Sequence, residues 1–230
     1  MARLPRLSLA GVAHLVLLRG HNGEAVLRDD QDRKTFLDAL QAAFAQEHVA
    51  LHAYALAADR VWLICTPPEG SALSRAMQSV GRRFASAFNR RYLRSGSLWD
   101  GRYRSTVIEP GRTLLDTMVF VDRQPTEAMP AEGDGSAPSR WSSAMQHIGF
   151  EGPVALNDTA EYWALGNTPF ERAAAYRVLL SESPSATRAE RIEAAAQRGW
   201  ALGSSAFLEW LQMRTDRPLR PRQRGRPRRS

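Results

Sequence analysis

One cysteine, Cys65, is all the chain has, so no internal disulfide can form and no Cys-based zinc cluster can be built. Lysine is nearly missing as well: Lys34 stands alone among 31 basic residues, and the rest are arginine. No apolar run approaches the roughly 20 residues of a membrane span. The run Val12 to Leu18 is interrupted by His14 and closed by Arg19-Gly20, which suits a strand and not a signal peptide. Hydrophobic residues make up 43% and charged residues 24%, which excludes collagen-like, mucin-like and wholly disordered chains. What is left is a globular protein of 230 residues, long enough for a sizeable core without staples, with the cytoplasm as its expected compartment.

The net charge of +7 is unevenly placed. From Arg214 to Ser230 eight arginines face one acid, Asp216, while residues 1–213 carry 23 basic and 23 acidic side chains. The balanced body has its own asymmetry. Between Arg75 and Arg104 lie eight arginines (75, 82, 83, 90, 91, 94, 102 and 104) and a single acid, Asp100. Phe84, Phe88, Tyr92, Trp99 and Tyr103 are interleaved with them. A concentrated basic, aromatic-studded stretch is the electrostatic footprint of a nucleic-acid face. Guanidinium suits the task, because it binds phosphate as a planar fork and stacks on bases. At helical spacing Phe84 and Phe88 belong to a core, which leaves Tyr92 and Trp99 as the rings expected to stack on bases.

Periodicity divides the chain into elements. Val12 to Arg19 is expected as a strand closed by the turn cluster Gly20 to Gly23. Asp29 and Asp30 open a helix to about Gln46, with Phe36, Leu37, Leu40, Ala43 and Phe44 on its apolar face. Strands follow at Val49 to Leu56 and Val61 to Cys65. Ser71 is expected to cap a long helix carrying Leu73, Ala76, Met77, Val80, Phe84 and Phe88 inward. A strand at Arg104 to Ile108 and a helix from Thr113 complete the set. The order matches the ferredoxin-like split βαβ pattern, an α+β fold with an antiparallel sheet and helices on one face. The expected organisation is a ferredoxin-like domain over residues 1–127, a linker over 128–139, a helical C-terminal extension over 140–213 and a disordered Arg-rich tail over 214–230. The extension's helices are expected at Trp141 to Ile148, Thr168 to Leu180, Ala186 to Arg198 and Ser204 to Met213.

The run Leu98-Trp99-Asp100-Gly101-Arg102-Tyr103-Arg104-Ser105 resembles the LWEGRYKS signature of the REP-associated tyrosine transposases, a family of single-tyrosine HUH transposases. Further matches lie in the right order: Leu27 to Arg33 is similar to FRDDEDR, Phe88 to Tyr92 to FNRRY, Trp141-Ser142-Ser143 to WSS, and Gly225 to Arg228 to GRPR. Tyr162, Leu165-Gly166, Arg172 to Tyr176, and Leu202-Gly203 with Phe207 resemble the family's C-terminal helices. The resemblance covers nearly the whole chain. It implies a protein of DNA transposition that recognises palindromic hairpins as single strands and cuts them with a tyrosine and a divalent metal such as magnesium.

The same resemblance shows what is missing. The family holds its metal with two histidines on alternate residues of a strand, and Arg60 and Trp62 stand at those positions. Guanidinium offers no lone pair and the indole nitrogen only donates, so neither can ligate a metal. Phe120 stands where the family has its nucleophilic tyrosine and has no hydroxyl to attack phosphorus. Gln124, one helical turn on, matches a third metal ligand but lacks its partners. The expected function is DNA binding of the transposase type with catalysis lost, no cofactor and no metal. Its partner is single-stranded or hairpin DNA, with no membrane, and the chain is a monomer or a homodimer. The expected DNA contacts are Arg19, Arg82, Arg83, Arg90, Arg91, Arg94, Trp99, Arg102 and Arg104. Two readings compete: a nicking transposase using displaced residues, and a domesticated scaffold that binds protein.

Overall fold

The computed structural model describes residues 6–124, 139–182 and 185–220. Four strands, β1 (His14–Arg19), β2 (Ala50–Leu56), β3 (Arg60–Thr66) and β4 (Arg104–Val107), pair antiparallel in the order β2-β3-β1-β4. This is the order expected of the split βαβ unit. The two crossover helices, α1 (Asp30–Gln46) and α2 (Ala72–Arg91), share one face of the sheet. Val16, Leu18, Tyr54, Leu56, Val61 and Leu63 point to that face, under Phe36, Leu40, Met77, Phe84 and Phe88. Asp29 caps α1 by accepting from the amide of Asp32. Ser71 precedes α2 but does not cap it. Its own backbone is helical, and its hydroxyl donates to Glu69 and accepts from Arg75 instead.

The opposite face is covered too. Leu15, Leu17, Ala53, Ala55, Trp62 and Ile64 lie beneath α3 (Arg112–Asp122) and the helices that follow it. Those are α4 (Ala144–His147), α5 (Ala160–Trp163), α6 (Pro169–Ser181) and α7 (Ala186–Arg198), while α8 (Ser205–Gln212) packs in a separate cluster with Leu7, Val107 and Leu219. A sheet buried on both faces needs apolar residues at every position, which is why β2 alternates only in part. The later chain also covers both sheet edges. Trp141 and Ser143 pair with β2, where Leu56 N donates to Trp141 O and Ser143 N to Tyr54 O, each at 2.9 Å. Leu202 pairs beside β4, donating to Val107 O at 2.9 Å and accepting from Glu109 N at 2.8 Å. Covered edges offer no strand to a neighbouring chain.

The expected linker, apart from Ser139, lies outside the described residues, as do residues 221–230 of the tail. The tail's first part is placed. Leu219 is buried beside Leu7, Val107, Phe207 and Leu211. The Arg217 guanidinium donates to Gly199 O at 2.6 Å. Gly199 ends α7 at φ +71, and a Cβ there would sit 2.8 Å from that guanidinium. Glycine is needed on both counts.

Asp122, the last residue of α3, ties this layer together. Its carboxyl group is buried and accepts from three side chains of the later helices. His147 Nδ1 lies 2.6 Å from Oδ2, the Tyr176 hydroxyl 2.7 Å from the same oxygen, and the Ser143 hydroxyl donates to Oδ1. Tyr162 closes the group by donating to His147 O at 2.8 Å. Burial and the nearby carboxyl hold the Tyr176 hydroxyl well above the usual phenol range. Asp122→Ala leaves three buried donors without their acceptor and is expected to cost about 3 kcal/mol or more, whereas Tyr176→Phe should cost about 1. A urea titration of each variant checks this through the shift of the unfolding midpoint at constant slope.

Candidate nucleic-acid interface

Alternation along β3 sets Arg60, Trp62 and Ile64 toward the same side of the sheet. Trp62 is fully buried, and its ring meets that of Phe120 edge to face, with centroids 5.4 Å apart at 89°. The two positions that the resemblance assigns to a histidine and to the tyrosine are therefore in contact, filled by two apolar rings. Among the described residues the Trp62 indole N–H has no hydrogen-bond partner. Gln124 Nε2 donates to the carbonyl of Phe120, 3.1 Å away. Arg60 forms a two-pronged pair with Asp59, with both contacts at 2.9 Å, and lies 3.8 Å from Glu193 of α7. Asp59 holds the Arg60 guanidinium still more firmly protonated, and Arg60 in turn lowers the Asp59 carboxyl. A divalent metal does not fit here: the donor set is a guanidinium, an indole and an amide. Among the described residues no three His, Cys, Asp or Glu side chains converge on any point that could hold one.

The arginines of α2 and the loop after it divide by partner. Arg82, Arg83, Arg90 and Arg102 are exposed and have no ion-pair partner among the described residues. Arg94, half-buried, lies over the Phe88 ring at 5.7 Å. Arg19, at the end of β1, borders a small crevice with Trp99, Asp100, Gly101, Arg102 and Arg104. Arg104 is spent internally, donating to Gln197 O at 3.0 Å with Asp100 3.6 Å away. Arg75 is paired with Glu47 and Glu69, both at 2.6 Å.

Besides Arg104, two expected contacts change role. Arg91 reaches across to α1, bonding Asp29 at 2.6 and 2.7 Å and Asp32 at 2.6 Å. Its charge is answered within the protein, and its work is to hold the C-terminus of α2 against the N-terminus of α1. Trp99 is buried, with Phe84 at 5.7 Å and Phe36 at 6.1 Å, so it is a core ring and has no face to offer a base. Tyr92 is half-buried, donates to Asp32 Oδ2 at 2.9 Å, and carries the Arg28 guanidinium 4.5 Å above its ring.

The structure adds two residues to the surface. Arg28 is exposed beside the end of α2 and extends the basic face onto the α1 entry. Leu93 is 95% exposed, with φ at +49, just beyond α2 among these arginines. An apolar side chain held outward on a strained backbone is suited to packing on an unstacked base. Nothing in the residue pattern separates Leu93 from an ordinary core leucine.

No model of a known protein family matches this chain, and no curated protein matches it. Solved structures do. A REP-associated tyrosine transposase bound to a REP hairpin matches at a TM-score of 0.53 and 14% identity, over 69% of this chain and 93% of that one. A protein assigned as a transposase of Deinococcus radiodurans R1 matches at a TM-score of 0.37 and 20% identity, over 55% of this chain and 98% of that one. The first likeness is one of fold alone; the second is too partial to bear weight.

Hydrogen bonds from Arg91, and next the Asp32 amide, lower the Asp29 carboxyl to about 2. A lowered carboxyl adds stability above its ordinary value near 4, and that stability is lost as pH falls toward the lowered one. In an NMR titration Asp29 is expected to titrate near 2, and Arg91→Ala should return it toward the ordinary range. The acid limb of unfolding should then begin at a higher pH, by a small margin because the pair is exposed.

Proposed function

We propose that this protein binds single-stranded or hairpin DNA and does not cut it. The observation that carries the reading is the set of four exposed, unpaired arginines, Arg82, Arg83, Arg90 and Arg102, on a fold shared with a hairpin-bound transposase. A body whose charges balance overall leaves these four without partners among the described residues, while Arg75 and Arg91 nearby are paired. Phosphate contacts from such a face position the nucleic acid, with Arg94, Arg28 and Arg19 at its margins. Leu93 is the side chain best placed to reach a base.

The absence of cleavage rests on the packing of Trp62 against Phe120. Where the resemblance puts the metal and the nucleophile there is a dry aromatic contact, and Arg60 is bound to Asp59 and Glu193. The two rings can neither attack phosphorus nor hold a cation to polarise it, and the carboxylates of Asp59 and Glu193 are directed to the Arg60 guanidinium.

Two measurements test the reading. If about five phosphates are neutralised, log K should fall with log salt at a slope of roughly −3.5 for a single strand. The triple reversal R82E/R83E/R90E should weaken binding across all sequences and flatten that slope. A slope near zero in the unaltered protein would refute DNA binding. For chemistry, labelled hairpin is incubated with protein and magnesium or manganese and run on a denaturing gel. No shifted, denaturation-resistant band is expected from the unaltered protein or from Phe120→Tyr. The new hydroxyl in Phe120→Tyr should cost about 1–3 kcal/mol of stability unless it finds a partner. A covalent band would establish an active enzyme.

A further inference from the structure

Another surface feature lies on α6, which packs over the face of the sheet opposite to α2. Its outward side carries a ridge at four-residue spacing: Phe170, 87% exposed, then Ala174, then Val178, 56% exposed. Nothing among the described residues covers it. Glu171 and Arg177 flank the ridge, one on each side, and both are exposed. One Glu171 oxygen serves the helix cap, accepting from the amides of Asn167 at 2.7 Å and Thr168 at 3.0 Å. Among the described residues the Arg177 guanidinium has one hydrogen-bond partner, the carbonyl of Ile148 at 3.4 Å. A neutral, apolar ridge with one acid and one base beside it does not suit a polyanion.

We propose that this ridge is where two copies of the chain associate, α6 against α6, about a twofold axis running along the ridge. Rows of residues four apart incline by about 26° to a helix axis, so two such rows laid parallel cross their helices at about 50°. On that axis each ridge residue meets its own copy, an isologous arrangement that twofold symmetry allows. The small Ala174 sits at the centre, where it lets the backbones approach. On the helical wheel Glu171 and Arg177 project to opposite sides at nearly the level of Ala174. The twofold therefore sets Glu171 of each copy against Arg177 of the other. Turning the second copy end for end sets Glu171 against Glu171 and Arg177 against Arg177, so charge selects one arrangement. The ridge alone is smaller than the roughly 800 Å² per partner of a standard interface, and the expected dissociation constant is on the order of tens of micromolar.

Sedimentation velocity of the full chain, from about one to a few hundred micromolar, tests this. The average mass is expected to rise with concentration from 25.6 kDa toward twice that value. Phe170→Glu and Val178→Glu alter exposed side chains, so a circular-dichroism melt should show them folded, and both should stay monomeric throughout. Arg177→Glu and Glu171→Lys should each weaken association about tenfold, and an equimolar mixture of the two should restore it. A mass fixed at 25.6 kDa over the whole range overturns the proposal. So does a dimer indifferent to Phe170→Glu, or a mixture that associates no better than its components.

Discussion

A carboxyl group taken out of water must be met by donors, and Asp122 is met by three. Ser143, His147 and Tyr176 reach it from segments that follow residue 138, while Asp122 itself belongs to the helix that closes the split βαβ unit. Neither side can be buried this way without the other, because an unanswered polar group in a dry core costs as much as several good contacts provide. The second layer of the protein therefore depends on this junction. Ser143 also pairs with the backbone of β2, so the same residue that answers the carboxyl group seals the sheet edge.

Closing that face changes what the strand beneath it can do. Trp62 and Phe120 sit two residues and one layer from the Asp122 junction, under α3 and the helices packed on it. A metal site needs an open ligand position and converging lone pairs, and a phosphotyrosine needs a hydroxyl with access to DNA. Two rings in edge-to-face contact supply neither, but they add core packing of the kind that typically contributes about 1 kcal/mol beyond burial. Arg60 survives at the margin only because Asp59 and Glu193 answer its charge. The other face keeps its electrostatic character, since α2 buries one side on the sheet and turns its arginines outward.

The strand order and the first three helices were legible because each depends on local pattern: apolar runs of strand length, an Asp before α1, and inward positions three and four apart along α2. The differences share a cause as well. The residue pattern points to Arg91 and Trp99 as DNA contacts through their neighbours in sequence, while their partners in the structure, Asp29, Asp32, Phe36 and Phe84, come from other elements. An aromatic ring among arginines gives the same sequence signal whether it faces a base or a core. Ser71 failed as a cap because Arg75 and Glu69 compete for its hydroxyl. The short helix α5 escaped notice because four residues show no period. Arg217 and Leu219 lie in the stretch expected as a disordered tail, but Arg217 bonds Gly199 O and Leu219 packs on Leu7, Val107, Phe207 and Leu211, partners from distant segments that the local sequence does not reveal.

Arg90 and Arg91 condense the relation between helix geometry and function. They are adjacent, chemically identical, and separated by about 100° around α2. That rotation turns Arg91 toward two carboxyl groups at the start of α1, where it fixes how the two helices meet. It leaves Arg90 facing solvent, with no ion-pair partner among the described residues. Reversing the charge of Arg91 attacks the packing of α1 on α2, so its effect on DNA would pass through the shape of the whole face. Reversing Arg90 removes a charge and leaves the fold alone. The two substitutions look equivalent along the chain, yet only the second reports on phosphate binding. A binding surface on a helix must be read residue by residue from where each side chain finds its counter-charge.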